Sequence, residues 1–193
     1  ARGRNPLLGL LPHRGTITVE LVATADTEDE AQALLDQDLE TLEQKLGPCI
    51  IGQESLPQAV GDLLADRGLT VAAWELGTGG LVAARLTRPA GAGRWFRGSR
   101  VITEEALEDQ EFDTDDAPAR WLASQARRES GADLGIGTGP IDVPRDSTPE
   151  RPYGVAHVAV DLRGQVTSQR LSLSGSPARS EEHTSELQSL LII

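Results

Sequence analysis

The feature that most constrains this fold is a strand-like segment that passes into a helix-like one through a glycine step. The run LTVAAW (69–74) is uncharged and ends at the acid Glu75. After Thr78-Gly79-Gly80, the run LVAARL (81–86) has the composition of a helix. Many enzymes use such a unit to place a reactive group beside a helix N-terminus. It predicts a sheet whose strands are connected by helices.

Strand and helix patterns alternate along the rest of the chain. Two helix starts carry a capping box, Thr27 with Glu30 and Ser55 with Gln58. Residues 95–110 are ambiguous, because WFRGSRVI has a strand-like pattern and TEEALEDQ has a helical one. The predicted strands are 16–23, 49–52, 69–74, 134–137 and a hairpin of 155–160 with 165–174, and a further helix spans 117–129. This order predicts a three-layer α/β domain preceded by a small α+β unit.

Composition excludes several classes of function. The net charge of −12 repels phosphate backbones, so we expect no nucleic-acid partner. No run approaches the ~20 apolar residues of a membrane helix, and no signal peptide opens the chain, so we expect no membrane partner and a cytoplasmic location. Cys49 is the only cysteine, which excludes a disulfide framework and a cysteine-based metal site. We predict no metal and no cofactor.

Four motifs resemble one family, in the right order and at the right spacing. NPLLGLLPHRGTITVELVATADTEDEAQALL begins the chain's match, LLADRGLTVAAWELGTGGLVAARLT follows, and ARWLASQARRESGADLGIGTG and STPERPYGVAHVAV complete it. Together they resemble the CinA family (competence/damage-inducible protein A). The resemblance implies a KH-type linker domain over 5–53 and a C-terminal nicotinamide-nucleotide amidase domain over 54–178.

The resemblance also implies a reaction. Family enzymes hydrolyse the amide of nicotinamide mononucleotide to nicotinate mononucleotide and ammonia. The serine of an E-S-C-T-G-G sequence is the nucleophile, and a downstream tyrosine and lysine assist proton transfer. Amide cleavage of this kind needs an oxygen or sulfur nucleophile with a base nearby.

This chain departs from that pattern where the chemistry occurs. The nucleophile position holds Leu76, and the segment 99–110 contains neither tyrosine nor lysine. The chain's only lysine is Lys45 and its only tyrosine is Tyr153, so no shift of the alignment restores the pair. Loss of a serine hydrolase's nucleophile costs on the order of 10⁶ in turnover. We therefore predict no catalytic residue and a degenerate amidase.

Other family features are kept. The resemblance implies that a pyridine nucleotide contacts six retained residues, which are Glu75, Thr78, Gly79, Gly80, Thr138 and Gly139. Glu75 is either a ligand-facing carboxylate or an anchor for nearby N–H groups. The Thr-Gly-Gly step either binds an anion or serves the turn alone. A glycine-rich loop of the family is replaced by PIDVPRDS (140–147), where Ile141, Val143 and Arg145 are expected to crowd the backbone.

An alternative is a working hydrolase with a rearranged site. In that case Thr78 or Ser99 supplies the hydroxyl and His157 is the candidate base. Because His157 lies in an alternating strand, a structural imidazole is the competing interpretation. His13 is expected in a loop, exposed and inert.

The two ends of the chain carry their own predictions. Residues 5–53 lack the G-x-x-G loop of nucleic-acid-binding KH domains, so a structural spacer is predicted there. From Arg179 onward, RSEEHTSELQS resembles a translated sequencing adapter, and residues 179–193 are interpreted as non-biological, which removes His183 as a candidate. The chain starts without methionine, so we expect part of a longer protein, homodimeric at full length.

Overall fold

The structure, a computed structural model, describes residues 3–13, 16–52, 54–145, 147–148 and 153–174. The chain divides into two compact units, Ala1–Glu54 and Ser55–Ile193. The first contains a hairpin and a helix, and the second contains a five-stranded sheet with helices. The predicted mixed α/β fold class is confirmed.

The first unit begins with an antiparallel hairpin. β1 (Leu7–His13) pairs along its whole length with β2 (Thr16–Val22). The sequence predicts β2 but not β1, because LLGLLPH has no β-branched or aromatic residue and contains glycine and proline, which strands disfavour. His13 ends a strand, so its predicted place in a loop is wrong.

The helix of the first unit starts where the capping box predicts. α1 (Glu28–Leu46) has Thr27 as N-cap, whose hydroxyl oxygen accepts a hydrogen bond from the N–H of Glu30 at 3.3 Å. None of its residues is buried. The predicted strand at 49–52 is wrong: Gly47–Cys49 forms a 3₁₀ turn, which the fixed backbone angle of proline favours.

The second unit is organised on one mixed sheet with the strand order β4-β3-β5-β6-β7. β3 (Val71–Glu75) lies between β4 (Phe96–Val101) and β5 (Leu134–Asp142), parallel to both. β6 (Tyr153–Leu162) and β7 (Gln165–Ser174) add the predicted hairpin, antiparallel to β5. Every residue of β3 is buried, as in parallel strands covered on both faces.

One face of the sheet is covered by α4 (Ala117–Ser130) at very short range. A Cβ on Gly135 would lie 1.9 Å from the carbonyl oxygen of Ala123, and one on Gly137 would lie 2.0 Å from that of Ala119. Only glycine at these two β5 positions lets the helix backbone approach the strand backbone this closely. The LGIG run is therefore a packing surface for α4.

The other face carries α2 (Leu56–Asp66) and α3 (Leu81–Leu86). Successive side chains of a strand point to opposite faces. Trp74 meets Trp121 of α4, with ring centroids 6.3 Å apart, whereas the carboxylate of Glu75 bonds N–H groups of α3. The sheet therefore lies between helices on both sides, in three layers.

Several elements differ in extent from their predictions. The ambiguous residues 95–110 divide into β4 and a 3₁₀ turn at Glu104–Leu107. The strand predicted at 134–137 continues to Asp142, because a bulge lets the chain resume pairing with β6. Part of the segment expected as a loop at 140–147 is thus strand.

A buried ion pair connects α4 to β6. The Nε of Arg127 lies 2.8 Å from Oδ1 of Asp161, whose residue is 1% exposed. Nε has no hydrogen-bond partner among the described atoms, so the contact is electrostatic rather than a directed hydrogen bond. Burial raises the pKa of Asp161, but hydrogen bonds from the Ser124 side chain and the Gly164 N–H, together with Arg127, outweigh it and lower the pKa below its ordinary value.

Candidate functional site

Glu75, the last residue of β3, is fully buried and holds the start of α3. Its Oε2 accepts hydrogen bonds from the Thr78 hydroxyl at 2.6 Å and the Val82 N–H at 3.0 Å, and Oε1 accepts from the Ala83 N–H at 2.8 Å. A carboxylate here satisfies N–H groups that the helix itself cannot bond and complements its dipole. The geometry is that of the predicted anchor.

Thr138, on the neighbouring strand β5, fixes the main chain of residue 76. Its buried hydroxyl accepts a hydrogen bond from the Leu76 N–H and donates one to the Leu76 carbonyl, each at 3.0 Å. The Thr78 hydroxyl lies 3.3 Å from it. Because the single proton of Thr78 goes to Glu75, Thr78 is available to Thr138 only as an acceptor. The polar side chains around residue 76 are therefore bonded to the protein itself.

Leu76 stands where the family resemblance places the nucleophile. Its side chain is 5% exposed and packs with Trp74, Leu107 and Leu122 on the α4 face of the sheet. A hydrocarbon side chain has no lone pair with which to attack a carbonyl carbon. At residue 76 the end of β3 therefore presents a hydrocarbon side chain.

A cleft of about 340 Å³ opens beside Leu76. It is wide open to solvent and lies at the carboxyl ends of the parallel strands, the edge at which open α/β sheets bind ligands. Its described lining comes from the segment after β4, the start of α4 and the end of β5. These residues are Leu76, Glu104, Leu107, Glu108, Gln110, Phe112, Pro118, Pro140 and Asp142.

The chemistry of this lining is limited. Within the described chain, no lining residue carries a hydroxyl, thiol, imidazole or amine. The acidic stretch 104–112 was not predicted to line a site, and its first part was considered only for the tyrosine and lysine that it lacks. The signal was present, because residues that directly follow a parallel strand such as β4 lie at the ligand-binding edge.

Ile141 crowds the backbone around the glycine step. A Cβ on Gly77 would lie 3.1 Å from Cγ1 of Ile141, and one on Gly154 would lie 3.1 Å from its Cγ2. Ile141 therefore fills space between these two glycines. Val143, expected to crowd the same backbone, is instead 68% exposed.

Gly79 and Gly80 form the turn into α3. Their φ angles of 63° and 93° lie in the left-handed region that favours glycine. The first four N–H groups of α3 all donate within the protein: two go to Glu75, and the others go to the carbonyl groups of Thr78 and Gly80. Turn geometry accounts for both glycines, and their contact with a ligand stays a prediction.

Ser99 lies on the face of the sheet opposite Leu76. It pairs with Ala73 between β4 and β3, and paired residues point to the same face. Ala73 and Glu75 alternate with Leu76, so Ser99 shares the face of α3 rather than that of the cleft.

His157 and Gly139 lie deeper in the antiparallel part of the sheet. His157 is half-buried between two buried neighbours of β6 and pairs with Arg170. Gly139 is buried, and a Cβ there would lie 3.4 Å from the carbonyl oxygen of His157. Both positions serve strand packing, and a substrate contact at Gly139 or Thr138 stays a prediction.

The described residues contain neither a membrane-spanning helix nor a cluster of metal ligands. None of its helices combines the length and apolar character needed to cross a membrane. No group of three or more histidine, cysteine, aspartate or glutamate side chains in the same part is arranged to hold a metal ion.

Comparison with known proteins identifies the family. The sequence pattern of the CinA C-terminal domain matches residues 53–189. The chain belongs to the CinA C-terminal domain family. The match includes part of the segment after Arg179, whose adapter origin stays a prediction and which lies outside the described residues. The KH-type assignment of 5–53 also stays a prediction.

Relatives of the CinA domain are longer than this chain. The CinA-like protein of Dictyoglomus thermophilum is 29% identical over 193 residues, which cover 93% of this chain and 47% of the relative. The CinA-like protein of Gemmatimonas aurantiaca is 30% identical over 190 residues, covering 91% of this chain and 44% of the relative. The chain thus spans about half the length of the relatives it matches.

Solved structures share the fold of the CinA domain. The competence damage-inducible protein A of Klebsiella pneumoniae matches with a TM-score of 0.61 and 21% identity over 71% of this chain and 92% of its own. The competence/damage inducible protein of Agrobacterium tumefaciens matches with a TM-score of 0.57 and 25% identity, covering 70% and 89% of the two chains. The three-layer architecture is therefore that of the CinA superfamily.

Proposed function

We propose that this CinA domain binds a small ligand in its cleft without hydrolysing it. The observation that carries the proposal is the place of Leu76. Its side chain forms the wall of the cleft at the carboxyl end of β3, at the position where the resemblance expects the nucleophilic serine.

The remaining described lining offers no replacement for that serine. Covalent amide hydrolysis needs an attacking oxygen or sulfur atom and a group that takes its proton. The polar groups of the cleft are three carboxyl groups and the amide of Gln110. The hydroxyls nearest in sequence to Leu76 belong to Thr78, which is bonded to Glu75, and to Thr70, which donates to Asp133.

Without hydrolysis, the domain has a binding and structural role. None of three features depends on a nucleophile at residue 76: the glycine step, the buried network around Thr138 and the cleft. In keeping with the family resemblance, the ligand class is a pyridine nucleotide, and the full-length protein acts as a homodimer. The fold supports the binding role, because the cleft lies at the edge of the sheet where α/β proteins bind their ligands.

A second candidate is hydrolysis by Thr78. Its hydroxyl donates to a carboxylate at 2.6 Å, which is the contact expected between a nucleophile and its base. Against this role, the same carboxylate accepts two N–H groups of α3, and Thr78 is only 7% exposed. Accepting the Thr78 proton would weaken the two hydrogen bonds by which this carboxylate holds α3, so Glu75 is poorly placed to act as the base.

Ammonia release from nicotinamide mononucleotide tests the proposal. The protein is incubated with the nucleotide, ammonia is measured in a coupled assay, and nicotinate mononucleotide is measured by chromatography. A family member with an intact E-S-C-T-G-G sequence serves as the positive control. We expect no product above the protein-free blank, and product at a rate proportional to protein concentration would overturn the proposal.

Two variants assign any activity that is found. If Thr78 is the nucleophile, Thr78→Ala abolishes turnover and Thr78→Ser retains part of it. If Ser99 is the nucleophile, Ser99→Ala abolishes turnover and both Thr78 variants keep it. Circular dichroism of each variant separates loss of chemistry from loss of fold.

A further inference from the structure

Among the described residues, β4 is an edge strand of the five-stranded sheet and pairs only with β3. The Ile102 N–H donates to the carbonyl of Glu75, the last residue of β3. Successive residues of a strand direct their backbone groups to opposite sides. Ser99 and Val101 therefore direct their N–H and C=O groups away from β3, where no described residue bonds them. A free edge of this kind is a template for pairing with another strand.

Charge changes sign along this free edge. Residues 76–103 contain five arginines and no acidic residue, and residues 104–116 contain eight acidic residues and no basic one. Arg94 and Arg97, at the start of β4, are exposed and belong to no ion pair between described residues. The same holds for Glu104, which follows the end of β4. The edge thus has a positive start and a negative end.

A two-fold axis makes such an edge complementary to itself. When two copies of β4 pair antiparallel, the start of each strand lies beside the end of the other. With the axis at Ser99, Arg94 of one copy lies beside Glu104 of the other, because each is five residues from Ser99. Opposite charges beside each other on paired strands stabilise the pairing, and like charges destabilise it. The charge pattern of the edge therefore favours a second copy of this chain.

The register centred on Ser99 also keeps the arginines of β4 apart. It places Arg97 opposite Val101 and Arg100 opposite Gly98, so neither arginine lies opposite another. The Val101 side chain is 53% exposed in the single chain. The aliphatic part of an arginine can cover such an apolar side chain while its charged group stays in water.

We propose that the domain self-associates by antiparallel pairing of two copies of β4 about a two-fold axis at Ser99. The inference rests on the homodimer of the proposed function and names its interface. Because Glu104 also lines the cleft, the pairing brings a guanidinium group of the second copy to a cleft whose described lining has no basic residue. A guanidinium group there is a suitable partner for the phosphate of a nucleotide.

The competing interpretation is an edge protected against pairing. Edge strands are commonly blunted by charged side chains and by bulges. β4 has both, since Arg97 is an extra residue between the partners of Val71 and Ala72. A protected edge predicts a monomer, whereas a self-complementary edge predicts a dimer that depends on its charges.

Sedimentation equilibrium of the full chain measures the association. We expect a dimer of twice 20.6 kDa at about 0.1 mM chain. Arg94→Glu and Glu104→Arg each create two like-charge contacts across the axis, and each is expected to weaken the dimer at least about tenfold. Both changes in one chain restore opposite charges and should return the dissociation constant to within about threefold of wild type. Arg170→Glu, at an exposed residue of the edge strand β7, is the matched control and should keep the wild-type value.

A cysteine at the axis locates the interface. Directly opposed Cα atoms of antiparallel strands lie about 4.5–5.5 Å apart, within the span of a disulfide. Cys49 is exposed, so it is first replaced by serine. In that background, Ser99→Cys is expected to form a covalent dimer under mild oxidation. Thr167→Cys, at an exposed residue of β7, is the control and should stay mainly monomeric on a non-reducing gel.

Each contrary outcome has a distinct meaning. A monomer at about 0.1 mM chain, a dimer that Arg94→Glu does not weaken, or a combined variant that fails to recover overturns the inference. So does preferential cross-linking through Thr167→Cys. A dimer joined through another surface overturns this interface and leaves the proposed homodimer standing. Binding without hydrolysis is decided separately by ammonia release, which does not depend on where the two copies meet.

Discussion

Thr138 and Leu76 are held together by two hydrogen bonds through a single hydroxyl group, which accepts from the Leu76 N–H and donates to its carbonyl. Thr138 lies on β5 and Leu76 directly follows the end of the neighbouring parallel strand β3, and the Leu76 N–H also lies 3.2 Å from the Thr138 carbonyl oxygen. The backbone at residue 76 is thus fixed by β5. Its conformation does not depend on the side chain at residue 76.

Thr138→Val is expected to destabilise the domain by about 1–3 kcal/mol. Valine keeps the shape of threonine but leaves the buried Leu76 carbonyl without the hydroxyl donor. Urea unfolding monitored by tryptophan fluorescence measures the change. Thr167→Val, at an exposed position of β7, is the control and should change stability by less than about 0.5 kcal/mol.

Glu75→Gln distinguishes an anchoring carboxylate from a ligand-facing one. As an anchor, Glu75 accepts three hydrogen bonds, and the amide of glutamine would place a donor against a donor. We expect a loss of about 2–3 kcal/mol in the free energy of unfolding. Hydrogen exchange should show faster exchange at Val82 and Ala83 N–H groups. An unchanged or higher stability would show that the carboxylate is kept for a ligand.

Gly137→Ala is expected to cost at least about 4 kcal/mol or to prevent folding. The new methyl group would lie 2.0 Å from the carbonyl oxygen of Ala119, and neither backbone can move without breaking the sheet or α4. Gly93→Ala is the matched control, because a Cβ at Gly93 meets nothing within 4 Å. Soluble yield and thermal melting compare the two, and similar values would show that α4 does not lie this close to β5.

Asp161→Asn should weaken the acid dependence of stability. The pKa of Asp161 is lower in the folded chain, so its contribution is complete above the unfolded-state value of about 4 and is lost as pH falls through the folded value. We expect the variant to lose about 2–3 kcal/mol at pH 7, because Arg127 is left without its counter-charge. The difference in the free energy of unfolding between the variant and wild type should shrink as the pH falls from about 5 to about 2.

Urea titrations at a series of pH values measure this convergence. Part of the acid dependence should remain in the variant, because the pKa of Asp133 is also lowered, chiefly by the Thr70 hydroxyl. Asp109→Asn, at an exposed residue of the second unit, should leave the stability curve parallel to wild type. A constant difference between Asp161→Asn and wild type at all pH values would contradict the assignment.

Local signals in the sequence predicted much of the second unit. Its first helix started at the capping residue Ser55, and the β6–β7 hairpin formed where alternation and the Arg163-Gly164 turn indicated. β1 was missed because its residues have low strand propensity, and only pairing with β2 makes it a strand. The extension of β5 was missed for the same kind of reason, since it depends on β6.

The sequence indicated the types of side chain near the end of β3, but not their hydrogen-bond partners or the residues of the cleft. The family resemblance placed Leu76 at the position of the nucleophile, and this stays a prediction. The sequence left open whether Glu75 faces a ligand or α3, because alternation along β3 gives the face but not the hydrogen-bond partners. The cleft residues of 104–112 were missed, because a 3₁₀ turn has no strong sequence period to locate it.

The carboxylate of Glu75 makes the start of α3 self-sufficient, since it supplies from within the chain the negative charge that a bound anion would bring. The hydrogen bonds that hold this turn are thereby independent of the side chain at residue 76. A change of the side chain at residue 76 leaves the hydrogen bonds between Glu75 and α3 in place. The start of this helix can therefore keep its shape whether or not a ligand is present.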